Sequence, residues 1–281
     1  MSGLKPKGLG RLLPPAIVRG FRHATAEKRE PIRFTGDFKS WKEAESKSTG
    51  YNAPEILEKT RAALLKVKSG EAAFERDSMT FNIMQYEFPL LAGLLRSMVL
   101  HRGQLSVLDF GGSLGTAYFQ CRKFLPEAAA LNWSVVDQPA QVACGNTEFA
   151  NRELHFYETI DDCLSVKRPN VLLLSSVLQY LREPYAFLRK LLNEQIPYVI
   201  VERTGFNCNG RDRLTIQHVP AWLYRASYPA WFLSEPAFRE TFEGSYELVC
   251  EYTANDRHHP EGGKAVFKGF QFQLKNRDDR Q

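Results

Sequence analysis

From Leu105 onward the chain alternates short apolar runs with helical stretches, and the first run empties into a glycine-rich turn. Leu105–Phe110, Trp133–Asp137, Leu154–Tyr157, Val171–Ser175 and Tyr198–Glu202 read as strands, with helices predicted over Thr116–Leu125 and Pro184–Asn193. Strands separated by helices run parallel and are covered on both faces, so the expected fold is α/β, a Rossmann-like doubly wound sheet. The C-terminal end breaks the alternation. Tyr246–Tyr252 and Ala265–Leu274 are strand-like with only a loop between them, which predicts an antiparallel hairpin at one edge of a mostly parallel sheet.

Before the sheet the pattern is different. A helix is expected from Asn52, whose spacing to Glu55 suits a capping box, to a stop at Gly70, and a second over about 78–100, kinked or divided by Pro89. Residues 1–50 read as a basic arm, 51–103 as a helical region, and 104–281 as the main domain with an aromatic-rich insertion at 204–242. The first 30 residues carry seven basic side chains against Glu27 and Glu30, which accounts for the whole net charge of +5. The remaining body is balanced, which argues against nucleic-acid binding. The arm also holds Leu12, Leu13, Ile17, Val18 and Phe21, so peripheral contact with an anionic membrane surface stands beside a plain solvated terminus. No apolar run is long enough to span a bilayer, no secretory pattern opens the chain, and the five scattered cysteines include no CxxC pair. These features predict a cytoplasmic protein with reduced thiols, peripheral on the inner face of the cell membrane if the arm docks there, and no metal site.

The sharpest motif is Val107-Leu108-Asp109-Phe110-Gly111-Gly112-Ser113-Leu114-Gly115. Glycines let the chain turn tightly and let a ligand lie against backbone, and ligands of open α/β sheets bind at the carboxyl ends of strands. The dinucleotide spacing GxGxxG is not met, because Ser113 and Thr116 occupy the required positions. An acid at the strand end disfavours pyrophosphate and suits a cationic ligand. S-adenosylmethionine (SAM), with its ammonium and sulfonium groups, is the cofactor this predicts. Asp137, 22 residues after Gly115 and followed by Gln138, is placed to accept from ribose hydroxyls. Asp161 or Asp162, after the third strand, suits the adenine amino group or else caps a helix.

Asp109–Gly115 resembles the first motif of class I SAM-dependent methyltransferases. Further segments resemble a family of methyltransferases from bacterial surface-polysaccharide (O-antigen or capsule) gene clusters: Trp41–Ala44, Gly50-Tyr51, Gly70–Ser78, Ser175–Leu181 and Ser227–Trp231. The resemblance covers roughly residues 35–275. Two places depart from it: Asp137 stands where glutamate is expected, and Glu202-Arg203-Thr204-Gly205 where Asp-Arg-Thr-Pro is expected. Membership implies O-methylation of a sugar or glycan acceptor, against an amine, phosphate or small-metabolite acceptor or a non-catalytic scaffold of the same fold.

Methyl transfer needs an acceptor atom in line with the methyl group and, for a hydroxyl, a base. Ser176, Gln179 and Tyr180 after the fourth strand, and Glu202, Arg203, Gln217, His218, Tyr228 and Trp231 after the fifth, are placed for this. Ser176 is assigned to the cofactor and Gln179, Tyr180, Arg203, Tyr228 and Trp231 to the acceptor. His218 is the base favoured by its ordinary pKa, against a structural loop histidine. Glu202 is a second base, against a partner for Arg203 or Arg76. Arg76, in a charged cluster read as opening a helix, suits the SAM carboxylate, against a solvated role. Trp222, Tyr224, Tyr228, Trp231 and Phe232 form either a carbohydrate platform or the core of a cap.

Overall fold

The computed structural model describes residues 30–50, 54–127 and 130–276. The first 29 residues of the basic arm, with Tyr51 and the capping residue Asn52, lie outside the described residues. The chain divides into two units, Met1–Pro31 and Ile32–Gln281, and every described element belongs to the second. These are β1 (Arg33–Thr35), α1 (Trp41–Ser46), α2 (Pro54–Ser69), β2 (Phe74–Arg76), β3 (Met79–Phe81) and α3 (Phe88–Leu100). The alternating part follows: β4 (Gln104–Phe110), α4 (Thr116–Arg122), β5 (Ala130–Val136), α5 (Pro139–Glu148), β6 (Leu154–Tyr157), α6 (Ile160–Val166), β7 (Val171–Ser175), α7 (Pro184–Leu192) and β8 (Tyr198–Asn207). The chain ends with β9 (Arg213–Val219), β10 (Ala226–Phe232), α8 (Glu235–Glu240), β11 (Tyr246–Thr253) and β12 (Ala265–Leu274).

Seven strands form the main sheet in the order β11-β12-β8-β7-β4-β5-β6. The five from β8 to β6 are parallel, and β12 and β11 add antiparallel to β8. This is the mostly parallel doubly wound sheet with a C-terminal antiparallel edge. Strand alternation sends successive side chains to opposite faces. Val107, Trp133, Val135, Leu173 and Ile200 pack under α2–α5, whereas Leu108, Val136, Leu172, Leu174 and Val201 pack under α7 and α8. Both faces are buried, so the parallel strands are mostly apolar on both sides rather than amphipathic. The order reverses between β4 and β7, each leading away to its own side, and this switch point opens a crevice at the strand carboxyl ends.

Three regions differ from the sequence expectation. Residues 74–81 form a hairpin rather than the start of a helix. Asp77 and Ser78 both have positive φ (51° and 64°), the conformation that a two-residue turn matching strand twist requires. Phe74 stacks on Phe81 across it, with ring centroids 4.6 Å apart. The helix begins only at Phe88, with Pro89 in its first turn, where a missing N–H costs nothing and no kink follows. Third, the stretch 204–242 is largely built of strands: β8 continues to Asn207, and β9 pairs antiparallel with both β10 and β1 as a second sheet. Pro229 sits in β10, an edge strand of that sheet, where its missing N–H is tolerated. The boundary expected at residue 50 falls between α1 and α2, and α1 packs on the second sheet through Ala44, Leu214 and Ile216. Among the described residues no helix is long and apolar enough to cross a membrane.

Helix α5 approaches the sheet closely through Gly145: a Cβ there would lie 2.5 Å from the Phe156 ring. Gly145→Ala is expected to lose about 1–3 kcal/mol of stability through overpacking, read from urea denaturation midpoints.

Candidate active site

The crevice is built on the turn after β4. Asp109, the last fully buried residue of β4 at 1% exposure, turns its carboxylate back beneath Gly112. A Cβ on Gly112 would sit 2.5 Å from that carboxylate, so only glycine closes over it. Trp133 Nε1, from β5, donates to Asp109 Oδ2 at 3.0 Å, while Oδ1 is buried without a hydrogen-bond partner. Burial pushes the Asp109 pKa up to about 7, against the pull of the Trp133 bond. Gly111 and Ser113 have positive φ, and Gly111 N–H donates to Val136 O across to β5. Asp137, one residue past β5, grips the turn from the other side: Ser113 N–H donates to its Oδ2 at 2.8 Å and Gln138 N–H to its Oδ1 at 2.7 Å. Burial raises its pKa, opposed by these two amides.

A second bank comes from the β2–β3 hairpin. Glu75 is 3% exposed; its two oxygens accept from Ser78 N–H and Thr116 Oγ1, tying the hairpin to the first turn of α4. Burial lifts its pKa to about 7. Arg76 faces the crevice but pairs with Glu87, ahead of α3. Gln141, from α5, also lines the crevice and leaves its buried Oε1 without a partner.

The third bank lies at the ends of β7 and β8. Ser176, with positive φ, donates its amide to Glu202 O and lines the crevice. Gln179 is set behind it and braces the turn by donating to Ser176 Oγ and Arg203 O. Arg203 is paired with Asp77 of the hairpin turn (2.8 Å) and with Asp256 of the β11–β12 connection (2.8 and 3.0 Å). Burial works against its charge, but these two carboxylates overcome it and hold its pKa well above the usual value. Glu202 pairs with neither Arg203 nor Arg76. It accepts a hydrogen bond from Tyr252 Oη, and burial, at 2% exposure, lifts its pKa to about 7.

The second sheet closes the crevice. One face of β9 and β10 presents Gln217 and Tyr228; Tyr180 Oη donates to Gln217 Oε1 at 2.9 Å, and Gln217 Nε2 donates to Tyr228 Oη at 3.2 Å. Tyr224 Oη lies 3.5 Å from Tyr228 Oη. The opposite face holds His218, which strand alternation turns away from Gln217; its Nε2 meets Thr35 Oγ1 at 2.9 Å, and burial followed by Arg33 lowers its pKa. The structure therefore takes His218 out of the crevice. Trp231 shares that outer side, donates to Leu181 O and lies beside Trp41. Among the aromatic platform candidates, Tyr224 and Tyr228 line the crevice, Trp222 is exposed and Phe232 is core. Asp161 and Asp162 are exposed in the first turn of α6, whose cap is Thr159, and neither lines the crevice. Gln138 opens α5 beside Asp137.

The crevice-lining Glu75, Gln141 and Asp256, and Tyr252, which bonds Glu202 from behind the lining, are residues the sequence reading did not single out for these roles. The Asp77-Ser78 pair, with Phe74 and Phe81 three residues to either side, was the available signal for the hairpin. Nothing local distinguishes Asp256 or Tyr252, because their partners lie some 50 residues away.

Each buried carboxylate raised to about 7 binds a proton in the folded protein that it has already lost in the unfolded chain between about pH 4.5 and 7. Stability from such a group is therefore lost as pH rises through that window. Relative to the parent, Glu75→Gln is expected to gain in urea midpoint from pH 5 to pH 8. A difference independent of pH would contradict a protonated Glu75.

No protein-family model matches this chain, and no curated protein does. The family resemblance of the sequence motifs therefore rests on those motifs alone. Solved structures with a similar arrangement include the N-terminal domain of EvdMO1 in the presence of S-adenosylhomocysteine and D-fucose (15% identity, 76% of this chain and 97% of that one, TM-score 0.42). They also include a 1,6-didemethyltoxoflavin N1-methyltransferase of Burkholderia thailandensis (16% identity, 81% and 93% covered, TM-score 0.41). A third is the magnesium protoporphyrin IX methyltransferase of Synechocystis PCC 6803 (12% identity, 67% and 83% covered, TM-score 0.43). At such scores, what the crevice can do is decided by its own residues.

Proposed function

We propose that this chain is a SAM-dependent methyltransferase that methylates a hydroxyl group of a sugar or glycan in surface-polysaccharide synthesis. The observation that carries the cofactor half is the unpaired, buried Oδ1 of Asp109 beneath a turn that only glycine can form. A buried acceptor without a donor is costly, and a cationic ligand supplies one. Gln141 Oε1 is a second buried acceptor facing the same space. Asp109, Gln141 and the Gly111–Ser113 backbone would hold the amino-acid end of the cofactor, and Asp137 its ribose. Arg76 would hold its carboxylate by sharing it with Glu87. Once bound, the cofactor supplies an electrophilic methyl carbon.

The chain's own task is then to seat the acceptor, exclude water and take a proton. Tyr180, Gln217, Tyr228 and Tyr224 give one wall a run of hydroxyl and amide groups, the chemistry that matches a polyhydroxylated ring. Ile56, Leu223 and Phe267 add apolar surface beside it. Glu202, at the end of β8, is the proton acceptor in this reading, because His218 faces the other way. With its pKa lifted to about 7, it is poised for general-base work near neutral pH. An amine acceptor is the second reading. It is favoured by the excess of buried carboxylates, Glu75, Asp109 and Glu202, over arginines already engaged by other acids.

Calorimetry with S-adenosylhomocysteine should show saturable binding, and Asp137→Ala should weaken it by about ten- to a hundredfold, the worth of a hydrogen bond to a charged group. Absence of heat at millimolar ligand would remove the cofactor assignment. A screen with labelled methyl groups, free and nucleotide-linked sugars in one arm and primary amines in the other, separates the two acceptor classes.

A further inference from the structure

Glu202 is held from two strands away. Tyr252 lies on the outermost strand β11, and Glu202 lies on β8, with β12 between them. In the β11–β12 register Tyr252 stands opposite Gly269. A Cβ built on Gly269 would fall 2.3–2.5 Å from the Cζ, Cε2 and Oη atoms of Tyr252, so the ring lies flat across the glycine. Any other residue at 269 would block the path. On its far side Gly269 faces an irregularity: Lys268 pairs with Thr204 and Phe270 with Val201, leaving Glu202 and Arg203 together opposite one residue. Arg203 takes positive φ (51°) there. This is a bulge on β8, the device by which a strand re-aims side chains beside a site. A mid-strand glycine and a bulge thus meet at one point, and the tyrosine passes over it to donate to Glu202 Oε1.

The surroundings hold both partners in place. Gln271, two residues from Gly269, is committed at both ends of its amide, to Tyr198 Oη and to Pro89 O, and it contacts Tyr252 as well. Glu202 meets Arg203 on its own strand, Glu87 (itself paired with Arg76) from the segment before α3, Asp256 from the β11–β12 connection, and Cys121 from α4. Tyr252 is the one neutral donor among them aimed at the carboxylate.

We infer that Tyr252 is a positioning residue: reaching across Gly269, it fixes one oxygen of Glu202 and leaves the other to take the proton of the acceptor hydroxyl. The inference rests on the methyltransferase reading. As the acceptor O–H bond breaks, its proton passes to the free Glu202 oxygen. The acceptor oxygen forms the new bond to the methyl carbon, and the C–S bonding pair stays with sulfur. Tyr252 keeps its own proton throughout; burial and the adjacent Glu202 hold its pKa far above the ordinary phenol value.

The test is a titration of the intact chain carrying 13C-carboxyl glutamate and saturated with S-adenosylhomocysteine, with Glu202→Gln identifying the resonance. Removing a donor to the carboxylate raises its pKa, so Tyr252→Phe should move the Glu202 midpoint upward by about one pH unit. Gly269→Ala, which keeps the tyrosine but pushes its ring aside, should move it in the same direction. S-adenosylhomocysteine affinity should stay within about twofold of the parent in both. With an acceptor from the labelled-methyl screen, the acid limb of kcat/KM should follow the midpoint in Tyr252→Phe while KM for SAM does not change. An unmoved midpoint in Tyr252→Phe, or full turnover in Glu202→Gln, overturns the inference. Failure of the parent to bind S-adenosylhomocysteine overturns the cofactor reading beneath it instead.

Discussion

The hydrogen bond from Trp133 to Asp109 is the contact on which the crevice depends. A carboxylate buried at the end of a parallel strand is unfavourable by itself, as its raised pKa records. What makes the position tenable is one indole N–H from the neighbouring strand and a glycine that closes over the group without a side chain. The register of β4 on β5 decides both. Val107 pairs with Trp133 and Phe110 with Val136, so the indole meets the acid two residues further along β4, and Asp137 emerges beside the turn. Asp109 braces the turn from below and Asp137 holds it at the rim. Slipping the two strands by a single residue would lose both contacts.

The far bank uses the opposite strategy. There the charges are paired rather than buried alone: Arg203 joins the hairpin turn, the bulged end of β8 and the β11–β12 connection through Asp77 and Asp256. An arginine suits this junction because its planar fork serves two carboxylates at once. Removing either acid would leave a buried cation half-satisfied, which costs more than the pair contributes. The crevice therefore has one side fixed by backbone register and one fixed by ion pairing across segments distant in sequence. Between them stand the three carboxylates of Glu75, Asp109 and Glu202, each desolvated and each raised.

The part of this arrangement that is local in sequence could be read from it. The strands β6, β7 and β12 coincide with their expected bounds, and β7, apolar up to its final serine, leaves least choice. The glycine turn and the acid after β5 were visible for the same reason, since strand, turn and side chain are neighbours. The failures come from partners far apart. Asp77 and Ser78 looked like a helix start because their positive φ is not encoded in residue type. The span 204–242 looked like an insertion because β9 pairs with β1, and the third strand of a sheet cannot be seen from the other two. His218 and Gln217 were both reasonable site residues until the strand was known, when alternation alone separated them. The cytoplasmic setting and the membrane role of the arm were compositional readings and remain so.

The second sheet has a history as well as a geometry. Thr35 meets His218 183 positions later, so β1 leaves the ribosome long before the strand it pairs with exists. At about 5–20 residues per second, that interval is roughly 10–40 s. Throughout it Phe34, 4% exposed in the finished protein, has no face to rest against. The first strand of this sheet is thus among the earliest segments synthesised, yet it can pair only after β9 has followed. Short length and flanking polar residues, Arg33 and Thr35, make such a strand a poor template for pairing with other chains during the wait.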